Sequence, residues 1–257
     1  MIATQAIPIT ENNDVKRVFE LLESNGMTKE RQNVASLVNQ IDFMEKQFSL
    51  VIGELQQVKS QLQSIQDKTL RATTTRIVNN VEVKINDAKN RFIALKDSVI
   101  QAFSDTVKAV KQKGVSALKK GLDFIGVRSV LLSLQKKTKE SMTALHSGIT
   151  RIEGMKGEIN SAKTHIQNAG RAMRGKEVKE ITVKGADRGV LSCVQKLFGK
   201  TGNLLSGIGQ KAGAVIEKID NLGQRDEKQS VSGTIKNIKK SRADNSNVVI
   251  GAKDLAR

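Results

Sequence analysis

The sequence predicts an all-α protein: an elongated helical hairpin or coiled-coil bundle that ends in a disordered basic tail. Three observations carry that expectation. Apolar residues recur in alternating steps of three and four over long stretches, the pattern of a helix seam. Pro8 is the single proline, so almost nothing interrupts helical backbone, where an interior proline removes a donor and clashes with the turn before it. Large anchors for a deep core are scarce, with no Trp, no Tyr and seven Phe in 257 residues.

The elements follow in order. Residues 1–13 read as a flexible N-terminus, and an arm over 14–112 joins a short helix to a long heptad stretch. The short helix opens at about Asp14, a residue suited to capping, and sets Val15, Val18, Phe19 and Leu22 on one face. Asn25-Gly26 stops it, because glycine accepts the left-handed conformation that closes helices. Thr28 is then expected to cap a much longer helix. Within it Val34, Ile41, Phe48, Leu55 and Leu62 recur every seven residues, with Leu37, Met44, Val51, Val58 and Ile65 three positions later. These ten make the a and d seam of a left-handed coiled coil. Phe43 and Leu50 at c, with Val38 and Ile52 at e, widen the stripe, so a third helix is expected over them; the short first helix is the candidate.

Residues 69–84 (TLRATTTRIVNNVEVK) break the register and are rich in β-branched side chains. A helix with a phase slip is the better reading than a strand, which would have no convincing partner. The period resumes at Ile85, Ala88, Phe92, Leu95, Val99, Phe103, Val107 and Val110. Residues 113–128 form a glycine-containing junction. Gly114, Gly121 and Gly126 each weaken a helix interior by about 1 kcal/mol, so one or more turns here fold the chain back.

The second heptad arm, 129–173, runs through Leu131, Thr138, Leu145, Ile152, Ile159, Ile166 and Met173. Its companion positions are Leu134, Ser141, Gly148, Met155, Ala162 and Ala169, small enough in places for close approach. The two arms are expected to pack antiparallel within one chain. Residues 174–188 lack a period and read as a loop. A glycine-rich amphipathic helix follows over 189–223, with Leu191, Val194, Phe198, Thr201, Leu205, Ile208, Ala212, Val215, Ile219 and Leu222 in three-four steps. Residues 224–257 are polar and Lys-rich, a composition that predicts disorder.

Charge is unevenly placed within a net +17. Residues 1–68 carry seven basic and nine acidic side chains, whereas residues 113–190 carry sixteen basic and seven acidic. The basic field therefore belongs to the C-terminal two thirds and favours polyanions. The N-terminus lacks the basic and long apolar regions of a signal peptide, and no run reaches the roughly 18 apolar residues of a membrane span. A cytoplasmic protein, soluble or peripheral to a membrane, is expected, and the lone Cys193 reads as a small apolar residue.

Catalytic chemistry is hard to find. His146 and His165 are the only histidines, with no Cys or Asp at metal-ligand spacing, and no glycine pattern follows a strand as a phosphate loop does. The acidic residues lie among lysines at helical spacing, as solvated i, i+4 partners do. The expectation is a protein that is not an enzyme, with no cofactor, metal or small-molecule substrate.

Three features remain as carriers of function. The seam residues named above, Val34 to Ile65 with Leu131, Leu145, Ile152, Ile159 and Ile166, pack within the chain or recruit a protein partner or a second copy. The basic residues Lys111, Lys113, Lys119, Lys120 and Arg128, with Arg171, Arg174, Lys176 and Lys179, are candidate contacts to a nucleic acid, since phosphates require only positive charge. No aromatic residues interleave with them, which argues against a stacking platform. Leu191, Val194, Phe198, Leu205, Ile208, Val215 and Ile219 form a candidate face toward an anionic membrane surface, or else dock on the bundle.

The segments NGMTKERQNVASLVNQIDFMEKQFSLVIGELQQVKSQL (25–62), KGVSALKKGLDFIGVRSVLLSL (113–134) and NAGRAMRGKE (168–177) together resemble an uncharacterised family of helical proteins. Its members are found in gut clostridia and related Firmicutes, often on mobile or conjugative elements. The resemblance covers residues 14–222 and brings no activity, ligand or catalytic residue. It implies a bacterial cytoplasmic setting and an accessory role on mobile DNA. The combined expectation is a non-enzymatic helical scaffold or adaptor, with peripheral membrane binding through 191–222 or sequence-independent nucleic-acid binding through the basic midsection as alternatives.

Overall fold

The computed structural model describes residues 8–115, 117–118, 125–180 and 189–245, with side chains as far as residue 220. Among these residues the protein is all-α, with no strand. A short 3-10 turn, Ile9–Glu11, precedes α1 (Asn13–Ser24), α2 (Thr28–Gln63), α3 (Lys68–Lys113), α4 (Ile125–Ala172) and α5 (Val190–Asn245). The chain divides into two compact units, Met1–Val215 and Ile216–Arg257. The helix bundle belongs to the first; of the second, the helical backbone is described to Asn245, through the first part of the segment expected to be disordered.

The helix boundaries follow local chemistry. Asn12, not Asp14, caps α1: its side chain accepts hydrogen bonds from the backbone N–H groups of Asp14 and Val15. Gly26, at φ +67°, closes the helix, and Met27 N–H reaches back to the Leu22 carbonyl at 2.9 Å. Thr28 is the first residue of α2 rather than its cap, which is Met27 without a side-chain bond. The long arm expected over 14–112 is broken at Ser64–Asp67. Asp67 accepts from Leu70 N–H at 2.7 Å and starts a new helix, so the lost register marks a reversal of the chain and not a phase slip. The β-branched stretch 69–84 is helical, as expected. Gly114, at φ +72°, ends α3 inside the junction.

Cross-helix contacts fix the topology. Lys96 Nζ stands 2.7 Å from Glu45 Oε1, Lys59 Nζ 2.6 Å from Glu82 Oε1, and the Phe48 and Phe92 rings lie 5.2 Å apart, so α2 and α3 are antiparallel. Ser141 Oγ donates to the Lys84 carbonyl at 2.8 Å and Gly148 faces Ile77, which sets α4 antiparallel to α3. Gly209 lies against Thr138 and Gln195 donates to Glu153 Oε1 at 2.8 Å, so α5 runs back along α4. Lys200 Nζ is 4.0 Å from Glu54 Oε1 and Lys211 Nζ sits 5.3 Å over the Phe43 ring, which returns α5 to α2. The four long helices form an up-down-up-down bundle, the architecture that short connections and a/d seams favour. The seams of 34–65 and 131–173 therefore run parallel in space, with α3 antiparallel to both. The antiparallel packing expected between the arms is thus made by the second half of the first arm, α3, and not by the 34–65 seam.

The core lies between these helices. Val34, Leu37, Ile41, Met44, Phe48, Val51, Leu55, Val58, Leu62 and Ile65 are all buried, as are Val78, Val81, Ile85, Ala88, Phe92, Leu95, Val99 and Phe103 of α3. Each such aliphatic side chain contributes about 1.5–3 kcal/mol when withdrawn from water. Polar seam residues are bonded: Thr74, Thr106, Thr138 and Thr201 donate to the carbonyl four residues earlier, which lets them sit in the core without loss. Asp42 tethers the N-terminal turn by accepting from Ile9 N–H and Thr10 Oγ1, each at 3.0 Å. The widened stripe of α2 is covered only in part. Val38 is buried, while Phe43 and Leu50 remain exposed.

Candidate docking surface

The second heptad block divides in two. Leu131, Leu145 and Ile152 are buried, with Ile152 at 0% exposure. Seven and fourteen residues later on the same face, Ile159 is 44% and Ile166 74% exposed, and Met173 beyond them reaches 89%. The heptad does not change at Ile152; its cover does. In the register set by Ser141 with Lys84 and Gly148 with Ile77, α3 begins opposite the region just before Ile159. Likewise α5 begins at Val190, beside Ile159. From there to Ala172 the end of α4 extends about 20 Å past its neighbours among the described residues. Ile159 and Ile166 are thus seam positions by pattern that stay exposed among the described residues.

The described chain leaving α4, residues 173–180, does not cover the stripe. Gly175, at φ +65°, turns it, and residues 176–180 run back beside the helix. Asn168 holds this return by donating to the Lys179 carbonyl at 2.7 Å and accepting from Lys179 N–H at 2.9 Å. Arg171 Nε adds a bond to the Glu177 carbonyl at 2.6 Å. Asn168 stands about 200° around the helix from Ile166, and Arg171 about 140°, so the return lies on the far face. Residues 181–188 lie outside the described set.

At the foot of the stripe an open groove of about 390 Å³ lies between the α2–α3 turn, Ile159 and the first turn of α5. Ser64, Ile65, Leu70, Val190 and Leu191 contribute to its walls. Asp67 is also there, engaged in capping α3.

The basic candidates are not one surface. Lys111 and Lys113 end α3 and Arg128 opens α4, all exposed, at one end of the bundle. Lys119 and Lys120 lie outside the described residues. Arg171, Arg174, Lys176 and Lys179 lie at the opposite end of α4, where Arg171 is half-buried and the others exposed. At 1.5 Å per residue, Arg128 and Arg171 are about 65 Å apart along the helix. Heptad patterning places residues on a face, but it gives no distance between clusters separated in sequence.

The candidate membrane face is used elsewhere. Leu191, Val194, Phe198, Leu205, Ile208 and Val215 are buried against the bundle, and Ile219 is half-buried. Of the two uses expected for this stripe, docking on the bundle is the one its burial against α4 and α2 fits. No helix of the described residues is long and apolar enough to cross a membrane. His146 and His165 are exposed on α4, and Cys193 is half-buried in α5. Among the described residues no three His, Cys, Asp or Glu side chains gather as metal ligands do.

What sequence reading missed is the division at Ile152. Its signal was indirect: the Asp67 cap starts α3, and Gly189 precedes α5, so together they set where cover for α4 begins. Compared with known proteins, residues 11–250 match the model of a family of unknown function (DUF6674). No curated protein and no solved structure matches the chain.

Proposed function

The chain belongs to this family of unknown function, and from the geometry of its own residues we propose that it is a non-enzymatic helical scaffold or adaptor whose partner docks on the uncovered end of α4. The observation that carries the reading is the exposure of Ile159, Ile166 and Met173 on the face that is fully buried at Ile152. A helix that continues an apolar seam past the end of its own bundle leaves hydrophobic surface uncovered among the described residues. Clustered exposed apolar residues of this kind mark interaction sites. The resemblance noted above adds a bacterial, mobile-DNA setting to this reading. The competing reading, contact with nucleic acid, has its described basic residues divided between the end where α3 closes and α4 opens and the far end of α4.

The test is recovery of the full-length protein from its host, with and without nuclease treatment, beside an Ile166→Asp variant. Protein partners that survive nuclease and are lost from the variant support the adaptor reading. Recovery of nucleic acid alone, equally with both proteins, would overturn it.

A further inference from the structure

The uncovered stripe has an edge of one sign. At about 100° per residue, Lys163 and Arg174 follow one side of Ile159, Ile166 and Met173, on the line begun by Lys156. Glu158 and His165 follow the other side. Lys156 Nζ donates to Gln195 Oε1 at 3.3 Å and Arg174 Nε to the Gly170 carbonyl at 2.7 Å, while Lys163 and Arg174 both remain exposed. The groove at the foot of the stripe meets the first turn of α5, the positive end of a helix dipole. Apolar surface, a cationic edge and a helix N-terminus therefore converge on one end of the bundle.

We propose that this end docks an acidic amphipathic helix of another protein. Its apolar face lies on Ile159, Ile166 and Met173, and its carboxylates line up with Lys163 and Arg174. The proposal rests on the adaptor reading and adds the chemistry of the partner. In heptad terms Lys156 and Lys163 occupy e positions, which flank a seam and choose partners by charge. A second copy fits less well. The chain's own bundle occupies this face up to Ile152, so a second α4 end has to enter antiparallel. That arrangement sets the e positions of the two helices against each other, lysine facing lysine.

The experiment uses the full-length chain and synthetic three-heptad peptides, followed by fluorescence anisotropy. One peptide has Leu at a and d with Glu at e and g; a second has Lys at e and g; a third scrambles the acidic peptide so that no apolar face survives. The acidic amphipathic peptide is expected to bind at least about tenfold more tightly than either other peptide. Ile166→Asp should weaken it about tenfold or more while leaving the helical circular dichroism and thermal midpoint unchanged. A Lys163→Glu/Arg174→Glu double variant should reverse the preference toward the Lys peptide.

Equal binding of the acidic and scrambled peptides would overturn the proposal, since bulk attraction to a basic protein then accounts for it. Loss of binding in Ile166→Asp with no response to the double charge reversal would also overturn it, while leaving docking on the stripe intact. Self-association abolished by Ile166→Asp would assign the stripe to a second copy instead. Displacement of the acidic peptide by a DNA duplex, undiminished in Ile166→Asp, would assign this end to nucleic acid.

Discussion

Gly148 of α4 faces Phe198 of α5 so closely that a β-carbon at 148 would stand 2.9 Å from the ring Cε2 and 3.1 Å from Ile77 Cγ2. The glycine admits a buried aromatic ring where α3, α4 and α5 meet. Gly148→Ala should therefore destabilise the bundle by about 1–3 kcal/mol, because overcrowding outweighs the gain in helix propensity. At Gly53 and Gly154 a β-carbon would meet nothing within 4 Å, and alanine at either should stabilise by up to about 1 kcal/mol. Urea denaturation of the three variants checks both signs. A stabilised Gly148→Ala would mean that Phe198 does not pack there.

Glu54 presents a different tension. Its Oε2 is buried with no hydrogen-bond partner, and Lys200 Nζ approaches Oε1 only to 4.0 Å. A buried acceptor left unbonded costs more than a distant, largely exposed lysine returns. Glu54→Met is expected to raise stability by about 1 kcal/mol in the same denaturation assay. A loss of that size would show that the Lys200 contact dominates.

The Lys137–Glu140 pair, at 2.9 Å, predicts a pH dependence. The hydrogen bond from Lys137 holds the Glu140 carboxyl below its ordinary value, and the same bond raises Lys137. A lowered carboxyl contributes stability that is present above the ordinary Glu range and lost as pH falls through the folded value. A raised amine contributes below the ordinary Lys range and loses its effect as pH rises through its folded value. Glu140→Gln should flatten the acid limb of the stability curve. Carbon-detected NMR titration of Glu140 should show a midpoint below that of a free glutamate and rising in Lys137→Met.

Much of the fold was legible because the bundle is built from repeats. Nine seam residues from Val34 to Leu62 specify one face of α2 with no help from tertiary context, and all nine are buried, as is Ile65 beyond them. The turn at Ser64–Asp67 was harder to see. Ile65 keeps the heptad spacing although it stands outside the helix, so spacing alone ran through the break. Pairing was not legible either, since the same a/d pattern serves any antiparallel neighbour; the partners are chosen by contacts such as Lys96 with Glu45 and Gly148 with Phe198. The stripe Leu191–Val215 shows the same degeneracy. A face that seals a bundle and a face that lies on a membrane share one pattern, and only the neighbouring helices distinguish them. For the candidate site, Ile152 and Ile166 are equivalent by sequence and differ because α3 and α5 begin where they do.

Hydrogen exchange along α4 reads out directly whether its last turns are uncovered. Backbone amides are protected when tertiary packing stabilises the helix that bonds them, and a helix end without such cover opens locally. The free protein is predicted to show slow exchange over residues 131–152 and markedly faster exchange over 159–172, with slowing of the second segment when the acidic amphipathic peptide is added. Uniformly slow exchange through residue 172 in the free protein would mean that Ile159 and Ile166 are already covered, and a docking role for this end of α4 would then be ruled out.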